Sequence, residues 1–461
     1  MVGRRTPRAT PSRRAAMGGA LAGIGGATLL GGCAGAGDAV GGGGDDSINV
    51  LMVNNPQMVD LQQLTRDHFT ASTGITVNYT VLPENDVRDK ITQEFSSQAG
   101  TYDVASISNY EVPFYSKLGW LAPLDEHIAA DPGFDQGDVL EPLSTALTGE
   151  DGRVYAEPFY GESSFLMYRA DVLEAQGLTM PERPTWREVA EIAARVDGTS
   201  GGMRGIALRG LPGWGQVFAP LTTVVNTFGG TWFEQDWTAR VNDRPFVEAT
   251  TFYVDLVRAH GQLGAPQSGF TECLNGMTQG QVAMWYDATS AAGSLESADS
   301  PVAGRMGYAP APVEQTESSG WLFAWSWAIQ AASAKQDLAW RFISWASGKE
   351  YEELVGNEIG WPNVPAGKRN STYANSDYRG SAGPFWEPTQ AAINAARPDD
   401  PGVQPRPAPG IQFVAIPEFA NLGTLSSQGV SAAIAGKQSV VQALDFAQDL
   451  AVEQVTDQYR S

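Results

Sequence analysis

The sequence predicts an α/β fold with two lobes, and three observations support this. The chain has 461 residues, which is more than a single compact domain usually holds. Its composition, 42% apolar and 18% charged residues, is that of a folded protein with a sizeable core. Strand and helix patterns alternate in two separate stretches of the chain, which is typical of two α/β units.

The first 32 residues have the composition of an export signal peptide. Five arginines and no acidic residue come before or within a weakly apolar run from Met17 to Leu30. This run is too short and too rich in glycine and alanine to cross a bilayer as a stable helix. The pair Arg13-Arg14 suggests the twin-arginine export route, although the residues after it fit that signal poorly. The sequence therefore predicts export over residues 1–32 and leaves the Sec and twin-arginine routes open.

The segment Leu30-Gly31-Gly32-Cys33 resembles the lipobox of bacterial lipoproteins. In such a motif the signal is cut before the cysteine, and the cysteine thiol takes a diacylglycerol. We therefore expect lipidation of Cys33, followed by a flexible tether over residues 33–46 that is rich in glycine, alanine and aspartate. This predicts a protein anchored by lipid to the extracellular face of the cell membrane.

Charge and cysteine content exclude several classes of protein. The formal net charge is −22, which repels nucleic acid and favours a neutral ligand over an anion. Cys273 is the only cysteine besides Cys33, so no intrachain disulfide is expected once Cys33 is acylated. The three histidines, His68, His127 and His260, are far apart in sequence, and no phosphate-binding loop is present. We expect neither a metal nor a cofactor.

The folded part begins with a βαβαβ pattern. It predicts strands over residues 48–53, 75–81 and 104–107, and helices over residues 61–73 and 87–97, the first closed by Gly74. This order predicts a mainly parallel sheet, and ligands bind beyond the carboxyl ends of such strands. Asn54, Tyr110 and Glu111 follow two of these strands and are candidate ligand contacts.

A second α/β pattern follows Tyr155. A capping box from Thr185 to Glu188 predicts the start of a helix, and residues 205–208 are predicted as a strand. Further helices are expected over residues 246–260, 337–346 and 440–452. The proline-dense residues 362–409 predict long surface loops with short helices.

Aromatic and polar residues concentrate where the predicted strands end. A polyol or sugar needs this mixture, because its C–H faces pack on rings and each hydroxyl requires a hydrogen-bond partner. The further candidates for binding a small polyhydroxylated molecule are Glu162, Arg209, Trp214, Asn226, Trp285, Asp287, Trp325 and Trp327. Two alternatives stay open at this point. Arg209 and Asp287 could form a stabilising ion pair, and Glu162 with Asp287 could be the carboxylates of a secreted carbohydrate-active enzyme.

Several segments resemble the extracellular solute-binding proteins of ABC importers, in their carbohydrate branch. They are residues 102–107 (YDVASI), 154–163 (VYAEPFYGES) and 279–285 (QGQVAMW). The segments most similar to the sorbitol- and mannitol-type polyol binders are residues 159–164 (FYGESS), 208–210 (LRG), 224–230 (VVNTFGG) and 285–289 (WYDAT).

The resemblance implies a periplasmic-binding-protein-like fold, with a ligand cleft between two lobes and several chain crossings. It implies that the cleft closes by hinge motion on a linear polyol such as sorbitol, mannitol, xylitol or arabinitol. The residues that it places in this cleft are Tyr110, Glu111, Glu162, Arg209, Asn226, Asp287, Trp325 and Trp327. Asn54 and Trp214 match the family only loosely. The implied lobe boundaries are 47–157 for lobe 1, 158–286 for lobe 2, 287–330 for a return to lobe 1, and 331–461 for lobe 2 with the C-terminal helices.

The implied role is that of a monomeric, non-enzymatic binder that delivers its solute to the permease subunits of an importer whose ATPase is another chain. A binder of di- or oligosaccharides remains the first alternative, and it would need a longer cleft with more stacking platforms. A sensor that presents bound solute to a receptor would have the same cleft and a different partner.

Overall fold

The computed structural model describes residues 46–199 and 201–460, and within these ranges the strands form two sheets. The predicted signal peptide, lipidation site Cys33 and most of the tether lie outside the described residues. The strands are β1 (Ser47–Val53), β2 (Thr76–Leu82), β3 (Val104–Ser108), β4 (Glu157–Glu162), β5 (Ser164–Arg169), β6 (Met284–Ala288), β7 (Met306–Pro310) and β8 (Phe323–Ile329).

The first sheet has five strands in the order β2-β1-β3-β8-β4. The pairs β1/β2 and β1/β3 are parallel, whereas β8 is antiparallel to both β3 and β4. Four strands therefore run in one direction and β8 runs against them. The βαβαβ prediction is confirmed, with strand bounds within one residue of those expected.

The second sheet has three strands in the order β6-β5-β7, all antiparallel. The predicted strand over residues 205–208 is wrong. This segment makes isolated bridges instead, from Ile206 to Gly261 and from Ala207 to Trp285. Because successive residues bridge to different segments, no continuous ladder can form.

Helices surround both sheets. Up to His260 they are α1 (Pro56–Leu64), α2 (Ala71–Thr73), α3 (Glu84–Ser97), α4 (Val112–Lys117), α5 (Asp125–Ala130), α6 (Glu141–Ala146), α7 (Ala170–Ala175), α8 (Trp186–Val196), α9 (Phe218–Thr227) and α10 (Arg244–His260). In the second half they are α11 (Phe270–Thr278), α12 (Ala291–Glu296), α13 (Gln336–Ser347), α14 (Lys349–Val355), α15 (Asn370–Ala374), α16 (Ser376–Ser381), α17 (Trp386–Ala395), α18 (Phe419–Ile434), α19 (Val440–Ala451) and α20 (Asp457–Tyr459). None of the described helices combines the length and the apolar character that a membrane crossing requires.

Local signals account for several helix ends. The capping box of α8 is confirmed: Thr185 Oγ1 accepts a hydrogen bond from the Glu188 N–H at 3.2 Å, and Glu188 Oε2 accepts one from the Thr185 N–H at 2.8 Å. The helix predicted over residues 61–73 begins earlier, at Pro56, and continues through a π-helical stretch (Thr65–Thr70) into α2. It ends at Gly74, whose φ of 77° suits glycine.

The core of the first sheet is rich in aromatic rings. Helix α13 packs against it, with the Phe342 ring 5.6 Å from Trp327 and 5.8 Å from Phe69. This side of the sheet is closed to solvent, since Phe342 and Trp327 are fully buried.

The chain passes from one sheet to the other between β4 and β5, across Ser163. The predicted lobe boundaries at 157/158 and 286/287 fall inside β4 and β6, and β7, in the predicted return segment, pairs with β5 of the second sheet. The division into lobes stays a prediction.

On β4, Gly161 lies so close to Gly367 that a Cβ on Gly367 would collide with the Gly161 carbonyl oxygen.

Candidate ligand-binding site

A cavity lies where the first sheet faces the segments around Arg209 and Ser290. The space between its lining atoms amounts to about 390 Å³, including solvent at its mouth. The lining residues come from the start of α1, from α3, β4 and β8, from the turn before α12, and from the chain before α18. The polar lining residues are Asn55, Glu84, Arg88, Tyr160, Glu162, Arg209, Ser290 and Gln412, and the larger apolar ones are Phe270, Trp321, Phe323, Trp325 and Phe413.

Arg209 and Asp287 form a buried, bidentate ion pair at this cavity. Nε and Nη2 of Arg209 donate to the two carboxylate oxygens of Asp287 at 2.8 and 2.5 Å, and Nη1 donates to the Gly215 carbonyl oxygen at 3.0 Å. Burial disfavours the charge on Arg209, but the adjacent Asp287 carboxylate outweighs it and raises the pKa of the guanidinium. The pair therefore stays ionised, contributes no net charge and holds Arg209 in one position.

Two further groups hold Asp287 in place. The Trp285 Nε1–H donates to its Oδ2 at 3.1 Å, and the Ala288 N–H donates to its Oδ1 at 2.7 Å. Asp287 itself is fully buried. Asp287 and Trp285 therefore lie behind Arg209 and hold it in place, and Arg209 is the residue that lines the cavity.

Arg88 of α3 is a second buried arginine at the cavity, and the sequence analysis missed it. It donates to Glu84 Oε1 through Nε and Nη2 at 3.2 and 3.0 Å, and to Glu111 Oε1 through Nη1 at 2.8 Å. Its guanidinium lies 4.1 Å from the ring centre of Trp214 and 4.7 Å from that of Trp325. The predicted residues Glu111 and Trp214 thus support Arg88. The spacing of Glu84 and Arg88, four residues apart on one helix, was the available signal.

Glu162, at the end of β4, lines the cavity as a neutral acid. Burial raises its pKa to about 8, although the Ser290 hydroxyl and Arg209 oppose the shift. The Ser290 Oγ–H donates to Glu162 Oε2 at 2.5 Å. With Oε2 occupied in this way, the protonated carboxyl can both donate and accept a hydrogen bond at neutral pH.

Aromatic rings form much of the remaining wall. Trp325 lies 5.6 Å from Phe323 in an edge-to-face contact, and both line the cavity. The Tyr160 hydroxyl accepts a hydrogen bond from Asn55 Nδ2 at 2.8 Å. Rings of this kind suit the C–H faces of a polyol, while the neighbouring polar groups suit its hydroxyls.

The remaining predicted site residues lie outside the lining. Tyr110 packs one layer behind it, 4.5 Å from Trp214, and Asn226 holds a C-terminal segment through the Ile411 carbonyl oxygen at 2.9 Å. The Asn54 side chain is exposed. Trp327 lies two residues beyond Trp325 on β8. Its ring packs in the core against Phe159, 5.3 Å away, and not at the cavity.

Comparison with known families identifies the chain. Residues 55–353 match the profile of the family described as bacterial extracellular solute-binding protein. The chain belongs to this family. This solute-binding protein therefore has a binding role, and its relatives are the substrate-capturing components of ABC importers rather than enzymes.

Individual relatives agree with this assignment. A mannitol-binding protein of Pseudomonas aeruginosa is 37% identical over 408 residues, covering 88% of this chain and 92% of the relative. A crystal structure of an ABC transporter solute-binding protein from Agrobacterium vitis S4, with bound D-mannitol, is 43% identical with a TM-score of 0.86, covering 88% of this chain and 97% of that one. An erythritol/L-threitol-binding protein of Mycolicibacterium smegmatis is 27% identical over 66% of this chain and 67% of its own length.

The contacts of this solute-binding protein also argue against carboxylate catalysis. A glycoside hydrolase needs two carboxyl groups free to face a scissile bond. Both oxygens of Asp287 are taken by Arg209, so Asp287 cannot pair with Glu162 in that way. Among residues 46–199 and 201–460, no group of three or more histidine, cysteine, aspartate or glutamate side chains is placed to hold a metal ion.

Proposed function

We propose that this protein captures a linear polyol, of the sorbitol, mannitol, xylitol or arabinitol kind, and delivers it to the permease of an ABC importer. The observation that carries the proposal is the 43% identity, over 88% of the chain, to a solute-binding protein with bound D-mannitol. The character of the cavity supports it independently.

The charge balance of the cavity favours a neutral solute. Arg209 is neutralised by Asp287, and Arg88 is held by Glu84 and Glu111. Neither arginine therefore offers an uncompensated positive charge to a phosphate or carboxylate ligand. Glu162, neutral at pH 7, adds no charge either. A polyol, which carries hydroxyls alone, matches this set of donors and acceptors.

Closure around the ligand is supported by two hydrogen bonds between segments that both contribute to the cavity lining. Gln216 Nε2 donates to Glu84 Oε2 at 2.9 Å, and Asn85 Nδ2 donates to the Pro212 carbonyl oxygen at 3.1 Å. They join α3, beside the first sheet, to the segment that follows Arg209. A polyol that contacts both sides would shift an open–closed equilibrium toward this closed arrangement, in which the permease receives it.

Calorimetric titration of the purified protein tests the ligand class. D-Mannitol, D-sorbitol, xylitol and D-arabinitol are compared with maltose and with mannitol phosphate. We expect binding of one or more alditols and none of the phosphate ester. Glu162→Ala should weaken alditol binding, whereas Asn54→Ala, which alters an exposed side chain, should leave it unchanged. Binding of maltose alone would replace the polyol with a disaccharide.

We further propose that the mature protein is a monomer anchored by a lipid on Cys33 at the extracellular face of the membrane. The lipobox-like residues before Cys33 and the arginine-rich leader support this. Cys33→Ala should release the protein from the membrane fraction, with Cys273→Ala as the matched control. Retention of the Cys33→Ala protein in membranes would overturn the lipid anchor.

A further inference from the structure

The chain between α17 and α18, residues 396–418, reaches the cavity from outside both sheets. We call this segment the strap. It contains no helix or strand, and six prolines restrict its backbone, at positions 398, 401, 405, 407, 409 and 417. Its middle is exposed, as at Val403, whereas residues 411–414 are buried. The buried part is the part that lies at the cavity.

Side chains from separate elements fix the strap in position. Asn226 of α9 donates through Nδ2 to the Ile411 carbonyl oxygen at 2.9 Å and accepts at Oδ1 from Arg406 Nη2 at 3.0 Å. Arg406 Nη1 also donates to the Gly410 carbonyl oxygen at 2.9 Å. On the other side, the Tyr110 hydroxyl donates to the Ile416 carbonyl oxygen at 2.8 Å. The strap is thus tied both to α9 and to the residues that follow β3.

Phe413 is the strap's apolar contribution to the cavity wall. Its ring lies 4.8 Å from Trp214, 5.7 Å from Tyr110 and 6.3 Å from Phe323. It is 5% exposed, so it fills the space between these rings. Phe413 therefore places a packed aromatic side chain in this side of the cavity lining.

Gln412 is the strap's polar contribution. It is 4% exposed and lines the cavity, and among the described residues no hydrogen bond holds its side-chain amide. The amide therefore faces the cavity with its donor and its acceptor both available, and a ligand hydroxyl can bond to it.

We propose that the strap forms the end wall of the ligand cavity, with Gln412 binding a hydroxyl and Phe413 blocking extension, so that the protein accepts free linear polyols and rejects their glycosides. The inference rests on the proposed polyol function and adds a limit on ligand length. It also gives Tyr110 and Asn226 a role, which is to position the strap.

The test compares D-mannitol with mannitol that carries a glucosyl group on both terminal hydroxyls. Because both ends of this compound are substituted, a glucosyl group meets the end wall in either orientation. We expect wild type to prefer D-mannitol by about a hundredfold or more in calorimetric Kd. Phe413→Ala should reduce this preference at least about tenfold. Val403→Ala, at an exposed position of the same strap, should leave it unchanged.

A second variant protects the test against misfolding. Arg406→Ala removes one of the two hydrogen bonds between the strap and Asn226, and the bond to the Gly410 carbonyl oxygen, without changing a cavity side chain. It should also lower the preference. Thermal unfolding establishes which variants are folded. An unchanged preference in folded Phe413→Ala and Arg406→Ala proteins, or equal binding of both compounds by wild type, would overturn the end wall. Failure of wild type to bind any alditol would instead overturn the polyol function.

Discussion

The ladder between β4 and β8 has two ends that look alike in sequence and differ in surroundings. At one end Glu157 pairs with Trp327, and at the other Glu162 pairs with Phe323 beside the Tyr160–Trp325 pair. Burial raises the pKa of both glutamates to about 8. Glu157 lies in the core near Arg369, whereas Glu162 faces the cavity and Ser290. Burial thus raises the pKa of both acids, but only Glu162 borders a cavity with room for a ligand.

The same comparison holds for the two tryptophans. Trp327 packs between Phe159 and Phe342, and Trp325 packs against Phe323 and the Arg88 guanidinium. One ring therefore contributes mainly to folding, and the other is available to a ligand.

The largest expected effect is at the core end. Trp327→Ala should lower the free energy of unfolding by about 3–5 kcal/mol, because it leaves a large cavity in a packed interior. The protein that remains folded should bind D-mannitol with little change in Kd. Denaturant unfolding and calorimetry measure the two quantities. A large loss of affinity in folded Trp327→Ala protein would break the distinction between the two ends.

The two glutamates should give a pH dependence of stability. Each holds a proton in the folded state up to about pH 8 but releases it near pH 4.5 when unfolded, so stability falls as pH rises between these values. Glu157→Gln and Glu162→Gln should each remove about 2 kcal/mol of the loss between about pH 6 and pH 8.

Ligand affinity separates these two variants. The pKa of about 8 belongs to the closed arrangement, in which Glu162 is buried, and exposure in an open arrangement lowers it. Wild-type affinity for D-mannitol should therefore fall as pH rises toward about 8. Glu162→Gln should abolish this fall, and Glu157→Gln should retain it. Identical affinity profiles for the two variants would contradict the assignment of Glu162 to the cavity.

At the cavity end, Trp325→Ala should weaken D-mannitol binding by about 2 kcal/mol, or roughly thirtyfold, because the proposed function places this ring against the ligand. Its effect on unfolding should be smaller than that of Trp327→Ala, because its ring borders open space. Calorimetry at a fixed pH measures the change. A Kd within about twofold of wild type would remove Trp325 from the binding surface.

The smallest expected effect is that of Tyr160→Phe. It deletes the hydroxyl that accepts from Asn55 and leaves the ring in place, so affinity should fall by about 1 kcal/mol, roughly fivefold. Asn55→Ala should have a similar effect, and the double variant should lose little more than either single one. Additive losses would mean that the two residues act separately.

Much of the fold could be predicted from sequence because its signals are local. Strand periodicity, the Thr185 capping box and Gly74 each act within a few residues, and each appears in the structure where it was expected. The prediction of a strand over residues 205–208 was wrong, because an extended segment joins a ladder only where a neighbouring segment pairs with it along its length. Strand pairing of that kind is not encoded in the segment itself.

The site was harder to predict than the fold. Arg209, Glu162 and Trp325, which were expected from residue type and position at strand ends, line the cavity. Trp327, of the same type on the same face of β8, could not be told apart from Trp325. Gln412 reaches the cavity through a hydrogen bond between Ile411 and Asn226, 185 residues away in sequence. No pattern around Gln412 records that contact, since it exists only after the chain has folded.

The strap joins neither sheet, and this has a consequence for how such a scaffold diversifies. Loops outside regular elements tolerate insertion and deletion, whereas a one-residue slip in a strand turns every side chain to the opposite face. Descendants of this chain can therefore lengthen or shorten residues 396–418 without disturbing the β4–β8 register. On the proposal that the strap forms the end wall, the size of the bound compound is a trait that evolution, or a protein engineer, can adjust separately from folding.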